Sequence, residues 1–273
     1  MRCLRAAFVF AAVLGFVATA WPLAATAQSD NNALQTLRGR ILEMQAEGIA
    51  DKVSQLMNEI QTHVAWTTQL PWMTGINMEQ RRFDALRLLQ LTPAVVELLE
   101  IDAQGREQLK VSRLALDVVG SGIDQSSEPK FTESVAKKVY YGPVYLHRNW
   151  EPGVTLGLAG TRSDTGVSVV ELSLQWMRDV LRQTKVGDRG VAYVVDAEGR
   201  VIAHQDFDSS LRDVSGLAHV QAARTVGLAN SKGAARTRDI NGRDVLAAYA
   251  RVAGPNWLVL VELPIEEAKA NPQ

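Results

Sequence analysis

Two short segments of this chain recur in the same order later in the sequence. Residues 101–106 (IDAQGR) return as residues 195–200 (VDAEGR), an offset of 94, and residues 170–172 (VEL) return as residues 261–263, an offset of 91. Asp-Ala-x-Gly is common in tight turns, but two matches in one order at nearly one offset indicate two copies of a fold unit. An interval of this length is too long for a solenoid repeat and fits a small domain. The sequence therefore predicts two tandem domains rather than one large core.

The first 27 residues differ from the rest of the chain. Arg2 and Arg5 precede the uncharged residues 6–27, which end in the small-x-small pattern ATA. The segment is either a secretory signal peptide cleaved before Gln28 or a membrane anchor, because 22 uncharged residues can span a bilayer. Both interpretations predict that the rest of the chain is periplasmic or otherwise extracytoplasmic, either secreted or anchored to the inner membrane by residues 6–27. The only cysteine, Cys3, lies in this segment, so no disulfide is expected in the exported part.

The composition is that of an ordinary globular protein, with 47% hydrophobic residues, 22% charged residues and a net charge of −1. No block of like charge occurs, which removes the electrostatic basis for binding nucleic acid. No second apolar stretch of spanning length follows residue 27, so this chain is not expected to cross a membrane twice.

Apolar residues recur every three or four positions from residue 33 to about residue 66, which predicts one long amphipathic helix. A second helix is predicted at 78–91, after a break rich in proline and glycine. Residues 28–92 thus form a predicted spine. Its first helix would be roughly 50 Å long, which is more than one small domain needs. The helix is therefore either a spine shared by two domains or a stalk that forms a homodimer.

Each copy of the repeat shows two strand patterns, a helical segment and three further strand patterns. This order predicts an α+β fold, in which the long N-terminal helix precedes two tandem PAS-like units, each a five-stranded antiparallel sheet with flanking helices. The predicted units are residues 93–173 and 190–264. A linking helix at 174–189 joins them, and the start of an exit helix follows at 265–273.

Three local expectations accompany this arrangement. In the first unit, one strand is expected at 108–118 and another at 139–147. In the second unit, Asn241-Gly242 predicts a type I′ hairpin turn.

Three segments resemble a known family: residues 139–145 (VYYGPVY), residues 190–204 (GVAYVVDAEGRVIAH) and residues 257–264 (WLVLVELP). Together with the long helix, they make residues 33–268 similar to the double Cache (dCache) sensor domains of bacterial transmembrane receptors. The resemblance implies an extracytoplasmic signal-transduction domain of the histidine kinase, nucleotide cyclase or chemotaxis type. It also implies that a small molecule binds in the membrane-distal unit, here the first, and that the second unit is membrane-proximal.

Receptors of this family normally continue through a second membrane helix into cytoplasmic output domains, and this chain ends at Gln273 before either. It is therefore expected to be a truncated receptor or a free-standing periplasmic sensor. Family members that bind amino acids carry an Arg-x-Trp-Tyr signature, whereas the matching residues 129–132 read PKFT. This departure argues against an amino-acid ligand.

Five residues of the first unit are candidate ligand contacts: Arg113, Tyr141, Tyr145, Thr155 and Glu171. On the expected strand 108–118, Arg113 lies among apolar neighbours, where a guanidinium can bind a carboxylate or phosphate through two hydrogen bonds. This favours a small anionic ligand. The alternatives are a structural ion pair of Arg113 with Asp117 or Glu171, or an arginine at a solvated edge.

The other candidates also allow two interpretations. Thr155 belongs to a strand face of small residues, which either leaves room for a ligand or faces solvent; its members are Gly153, Thr155, Gly157, Ala159 and Thr161. Tyr141 and Tyr145 share a predicted strand face, where each offers a ring and a hydroxyl to a ligand or packs within the sheet.

Patterns for metal binding and catalysis are weak. His204-x-Asp206-x-Asp208 resembles a metal cluster but has no third strong ligand group nearby, so neither a metal nor a cofactor is predicted. The remaining histidines are scattered and no Gly-x-Ser-x-Gly elbow occurs. The chain is therefore predicted to be a sensor rather than an enzyme, with an exported hydrolase as a remote alternative. The second alternative, a ligand-free periplasmic partner or dimerisation protein, predicts filled cores in both units and an exposed apolar stripe on the long helix.

Overall fold

The computed structural model describes residues 21–68, 77–147, 151–162, 164–206, 211–225 and 232–269. Most of the predicted signal peptide or membrane anchor, residues 1–20, lies outside this part of the chain. Within the described part, none of the helices combines the length and apolar character that crossing a bilayer requires.

Two helices form the spine. Helix α1, Trp21–Thr68, has 48 residues and is roughly 70 Å long, so it begins before the predicted start at residue 33. Its buried side chains recur every three or four positions, as an amphipathic helix requires; they are Leu42, Ala46, Ile49, Val53, Met57, Ile60 and Val64. Helix α2, Met78–Leu91, has the predicted bounds. Asn77 caps the start of this helix, because its side chain accepts a hydrogen bond from the Glu79 N–H at 2.9 Å.

The first sheet follows α2. Its strands are β1 Val95–Ile101, β2 Glu107–Ser112, β3 Val118–Val119, β4 Val139–Tyr141, β5 Tyr145–Leu146, β6 Pro152–Ala159 and β7 Val167–Ser173, with helix α3 at Pro129–Lys137. The order across the antiparallel sheet is β3-β2-β1-β7-β6-β4, and β5 also pairs with β6. The sheet thus has seven strands rather than five, because two of the predicted strands are broken.

Both breaks have a local cause. The expected strand 108–118 ends at Ser112, where the serine hydroxyl accepts a hydrogen bond from the Leu114 N–H at 3.2 Å and turns the chain. The expected strand 139–147 is interrupted at Gly142-Pro143, because proline has no N–H for the ladder. The predictions of two continuous strands were therefore wrong.

The second sheet repeats the same arrangement with five strands. They are β8 Val191–Val195, β9 Val201–His204, β10 Lys232–Arg238, β11 Asp244–Arg251 and β12 Leu258–Pro264, in the order β10-β11-β12-β8-β9. Helix α4, Trp176–Arg182, precedes the sheet, α5, Ala218–Thr225, lies between β9 and β10, and α6, Ile265–Lys269, follows β12. In both sheets the last strand lies centrally, between the first strand and the strand before it. The predicted duplication of a PAS-like unit is confirmed at the level of the fold.

One turn occurs three times and explains the first repeated segment. Oδ1 of Asp102 accepts hydrogen bonds from backbone N–H groups two and four residues later at 2.9 and 2.8 Å, and the Asp196 carboxylate does the same at 3.1 and 2.8 Å. Asp239 makes the same pair of bonds at 2.9 and 2.8 Å. Gly242 has a φ of 79°, whereas Asn241 is not among the residues with positive φ. A type I′ turn needs positive φ at both positions, so that prediction was wrong.

Helix α1 holds the two units together. Its first half lies against the second unit, where Lys232 pairs with Glu47 at 2.7 Å and Arg38 donates to the backbone carbonyl of Glu267 in α6. Its second half lies against the first unit, where Gln61 donates to the Tyr141 hydroxyl. One hydrophobic core runs from α1 into the facing side of both sheets. The opposite face of each sheet, here called the outer face, is therefore the side that carries α3 or α5.

Candidate ligand-binding site

The outer face of the first sheet divides into an apolar and a polar half. Beneath α3, the apolar half is a small cluster of Leu99, Ile101, Val167 and Val169, against which Phe131 and Ala159 pack. Further along the same strands, the side chains become polar. Glu171 of β7 is the centre of this polar half, and its cross-strand neighbours are Glu97 of β1 and Thr155 of β6.

Glu171 is held by hydroxyl groups. The Tyr145 hydroxyl donates a hydrogen bond to its carboxylate, and Thr155 Oγ1 lies 2.9 Å from Oε1 and 3.0 Å from Oε2. Burial raises the pKa of Glu171, Glu97 adds to the shift, and the two hydroxyl donors oppose it. Burial and the neighbouring Glu171 also raise the pKa of Tyr145, so the tyrosine remains a protonated donor.

Glu171 lies close to a second carboxylate, and Lys130 of α3 acts on it through its charge without bonding to it. Glu97 lies directly opposite on β1, and like charges in that position destabilise a sheet. Lys110 of β2 pairs with Glu97 at 2.9 Å, and this hydrogen bond is the main cause of a raised pKa for Lys110. Among the described residues, no cation forms an ion pair with Glu171. The cluster therefore presents a half-buried carboxylate whose donors are neutral hydroxyls.

Three of the five candidate ligand contacts, Tyr145, Thr155 and Glu171, meet in this cluster. Tyr141 does not, because the break at Gly142-Pro143 leaves it on the opposite face of the sheet from Tyr145. There its hydroxyl accepts a hydrogen bond from Gln61 of α1, and burial raises the pKa of Tyr141 to about 12. A ligand-binding role for any of the five residues stays a prediction.

Arg113 also lies apart from the cluster. Its Nε donates to the Val95 carbonyl at 2.8 Å, and another guanidinium nitrogen donates to the Leu89 carbonyl at the end of α2. Asp117 pairs with Arg82 at 2.7 Å instead. The expected ion pairs of Arg113 with Asp117 or Glu171 are therefore not formed, since the guanidinium joins β1 to the last turn of α2.

The glycines of β6 do not leave open room, contrary to one expectation. A Cβ at Gly157 would lie 2.1 Å from Ser134 Oγ and 2.9 Å from the Lys130 carbonyl of α3. A Cβ at Gly153 would lie 2.3 Å from Nε2 of His147. Both glycines therefore allow close packing of a neighbour against the sheet.

Sequence reasoning missed Glu97, Tyr140 and His147, which share this face. Tyr140 pairs with Gly157, and the His147 ring lies 4.9 Å from that of Tyr145, with Nε2 buried and unpaired among the described residues. Strand alternation gives the only signal for them: Glu97 interrupts an apolar face of β1, and His147 lies two positions after Tyr145.

Two other features are less suitable as sites. A groove of about 530 Å³ lies between α1 and α2, and its walls include the buried pair Arg81–Glu100, whose side chains bond to each other at 3.0 Å. The described residues contain no group of three metal-ligating side chains. Nδ1 of His204 accepts a hydrogen bond from the Asp206 N–H at 3.1 Å, which is a local turn, and Asp208 lies outside the described residues.

Solved structures with the same fold are sensor domains of receptors. The extracellular domain of the putative histidine kinase mmHK1S-Z2 is 14% identical, with a TM-score of 0.68 over 85% of this chain and 98% of that one. The ligand-binding domain of the Campylobacter jejuni chemoreceptor Tlp3 in complex with 4-methylisoleucine is 14% identical, with a TM-score of 0.65 over 88% and 96%. The periplasmic sensory domain of the C. jejuni chemoreceptor Tlp1 is 12% identical, with a TM-score of 0.66 over 88% and 99%.

A search of curated protein sequences finds no match to this chain. The model of the dCache_1 family, described as a Cache domain, matches residues 23–271. This match spans both sheets and the long helix that joins them. The chain therefore belongs to the dCache_1 family of Cache domains, which are extracellular or periplasmic sensor domains.

Proposed function

We propose that this sensor domain recognises a small molecule through an ammonium group that binds to Glu171 in the first unit. The observation that supports this proposal is that no cation among the described residues is bonded to the Glu171 carboxylate. Glu97 and Glu171 lie opposite each other, and Lys110 pairs with Glu97, whereas Lys130 acts on Glu171 only through its charge.

An ammonium group fits this arrangement chemically. It carries three N–H donors and a positive charge, so it can bind Glu171 and weaken the repulsion from Glu97. Each hydrogen bond between charged groups contributes on the order of 1.5–3 kcal/mol. The anionic ligand expected from Arg113 has less support, because that guanidinium is bonded to backbone carbonyls.

Structures with this fold are consistent with the proposal. The Tlp3 domain is described in complex with 4-methylisoleucine, and the Pseudomonas aeruginosa PctC domain, 15% identical with a TM-score of 0.57, in complex with GABA. Both compounds carry an amino group. Because this chain lacks the Arg-x-Trp-Tyr signature, the proposal extends to amines in general rather than to amino acids alone.

A thermal-shift titration of the purified chain tests the proposal. Small amines such as ethanolamine and putrescine are compared with propionate and propanol. A ligand at 100 times its Kd stabilises by about 2.7 kcal/mol, which is roughly 5–10 °C in a chain of this size. Glu171→Gln should abolish the shift, whereas Glu79→Gln on the exposed surface of α2 should preserve it. An equal response of wild type and Glu171→Gln to every amine would refute the proposal.

We also propose that the second unit lies next to the membrane. The first half of α1 and the final helix α6 both lie at the second unit, where Arg38 contacts Glu267. A chain anchored by residues 6–27 would therefore hold the first unit away from the membrane.

A second candidate function, dimerisation through α1, is favoured by one observation. Leu37, Ile41 and Met44 are 55%, 47% and 69% exposed and lie on one stripe of the helix, as the dimer alternative requires. Sedimentation of the purified chain tests it. The double variant Leu37→Glu/Met44→Glu should convert a dimer into a monomer, whereas Leu114→Glu in the first unit should not. A wild-type chain that is monomeric at about 100 μM would refute it, because dimerisation would then contribute less than about 5 kcal/mol.

A further inference from the structure

The outer face of the second sheet contains a cavity of about 190 Å³. Its floor is formed by side chains of β8, β9 and β12, among them Tyr193, His204 and Glu262. Its mouth lies between Arg212 and the β10–β11 hairpin, where Ile240 is 37% exposed. An engineered apolar cavity of about 150 Å³ holds benzene, so this space fits a compound of similar size.

A buried carboxylate faces this cavity. Glu262 is only 5% exposed, and its Oε1 accepts a hydrogen bond from the Tyr193 hydroxyl at 2.5 Å and lies 2.9 Å from His219 Nε2. Nε2 of His219 also lies 3.1 Å from the Tyr193 hydroxyl, and Nδ1 is buried without a hydrogen-bond partner among the described residues. Oε2 of Glu262 makes no hydrogen bond to any described residue. Oε2 is therefore available to a compound that enters the cavity.

The position of Glu262 is that of Glu171 in the repeat. Each lies on the last strand of its sheet, and each accepts a hydrogen bond from a tyrosine hydroxyl. The tyrosines come from different strands, Tyr145 from β5 and Tyr193 from β8. Both sheets therefore carry a tyrosine-bound carboxylate on the outer face, and only the carboxylate occupies the same position in the two units.

Other charged and titratable groups also line the cavity. Asp239 and Arg243 pair with each other at 2.7 Å within the hairpin turn. Asp206 and Arg212 also line the cavity. The His204 ring stacks on Tyr193 at 5.8 Å, and burial lowers the pKa of His204, which keeps it uncharged at neutral pH. Besides Glu262 and the Asp239–Arg243 pair, the charged residues of the cavity wall are thus Asp206 and Arg212.

We infer that this cavity is a second ligand site, and that it binds a small ammonium compound through Oε2 of Glu262. The second unit would then be a ligand reader in its own right rather than only a relay between the first unit and α6. The inference goes beyond the proposed function and does not depend on it, because the two sites lie in different units.

Histidine-selective ¹⁵N NMR of the purified chain separates the two sites. The chain has four histidines. His204 and His219 report on the cavity, and His147 reports on the Glu171 cluster. The probes are ethanolamine, propylamine and butylamine. Propionate is the oppositely charged control, and propanol is the uncharged control. Amines should shift the His204 and His219 signals in a saturable way, whereas propionate and propanol should not.

Two kinds of variant identify the binding group. Glu262→Gln should weaken the amine response of His204 and His219 by roughly 10- to 100-fold, the value of one hydrogen bond to a charged group. Glu171→Gln should leave it unchanged. Ile240→Trp closes the mouth without altering the buried network and should also abolish it. The matched control is Arg238→Trp, which lies on the same hairpin but outside the cavity.

The outcomes are distinguishable. A response of His147 alone would refute the second site and leave the proposed function intact, and a response of His204 and His219 alone would do the reverse. An equal response to propionate, or an amine affinity of Glu262→Gln within about twofold of wild type, would overturn the inference. If Glu262→Gln fails to fold, an unchanged amine response in Ile240→Trp overturns it instead.

Discussion

Replacing Gly157 by alanine tests whether β6 is packed or open beneath α3. The added Cβ would lie 2.1 Å from Ser134 Oγ and 2.9 Å from the backbone carbonyl of Lys130. Ser134 is fully buried, and its hydroxyl already donates to that carbonyl at 2.6 Å. The hydroxyl can leave only by losing a buried hydrogen bond, and the carbonyl belongs to the helix. The substitution therefore has to push α3 away from the sheet.

The expected cost follows from this geometry. Overpacking of a well-packed site costs about 1–3 kcal/mol, and the loss of glycine's flexibility in the unfolded chain returns about 0.4–1 kcal/mol. The net loss for Gly157→Ala is thus on the order of 1–2 kcal/mol, which lowers Tm by roughly 2–8 °C in a chain of this size.

Urea unfolding followed by circular dichroism measures the free energy of unfolding, with Gly48→Ala as a matched control. Gly48 is exposed in the middle of α1, and a Cβ there meets nothing within 4 Å. The control should therefore be more stable than wild type by about 0.5–1 kcal/mol. If Gly157→Ala were as stable as Gly48→Ala, α3 would not be packed on Gly157, and the small residues of β6 would indeed leave room for a ligand.

Three further predictions concern stability. Burial raises the pKa of Glu100 from 4.5 to about 7, against the opposing effect of Arg81. The folded protein therefore holds this proton more tightly than the unfolded chain does. As the pH rises from 4.5 to 7, the free energy of unfolding of wild type should fall by on the order of 3 kcal/mol relative to that of Glu100→Gln. A difference that does not change with pH would contradict this. Arg81→Met should cost about 3–5 kcal/mol at pH 8 and less at pH 5, where Glu100 is protonated; equal costs would refute the ion pair. Gly199→Ala should destabilise the protein by about 1–3 kcal/mol in thermal unfolding, because φ is 87° at this position and the added Cβ would lie 2.8 Å from Ser215. The loss should be smaller for Gly242→Ala, where φ is 79° but the surrounding space is open.

Local patterns predicted much of the fold. The bounds of α2 and the central helical part of α1 follow from apolar spacing and an asparagine cap, which are encoded within a few residues. The likeness of the two units follows from the duplication, because similar segments fold alike, whereas the order of the strands across each sheet was not predicted. Where a local competitor is present, the pattern failed: Ser112 ends β2 and Pro143 divides the fourth strand.

The candidate site was predicted only in part. Tyr145, Thr155 and Glu171 were each named as candidate contacts in the first unit, without a prediction that they meet, and the structure brings them together. Glu97 was missed because its neighbour Glu171 lies 74 residues away in sequence and is brought opposite by the register of β1 and β7. Arg113 was misplaced because the acceptors of its guanidinium, the carbonyls of Leu89 and Val95, are defined by how α2 packs on the sheet.

The sequence by itself determined the duplication, the long helix and the family, because repetition and helical spacing are properties of the chain read in order. Only the tertiary structure decided how the two carboxylates of the repeat differ. Glu171 lies half-buried beside Glu97, whereas Glu262 lines a cavity and is bonded to Tyr193 and His219. Identical positions acquire different surroundings because their neighbours come from other strands and helices, and pairing across a sheet is set by register and packing rather than by local sequence.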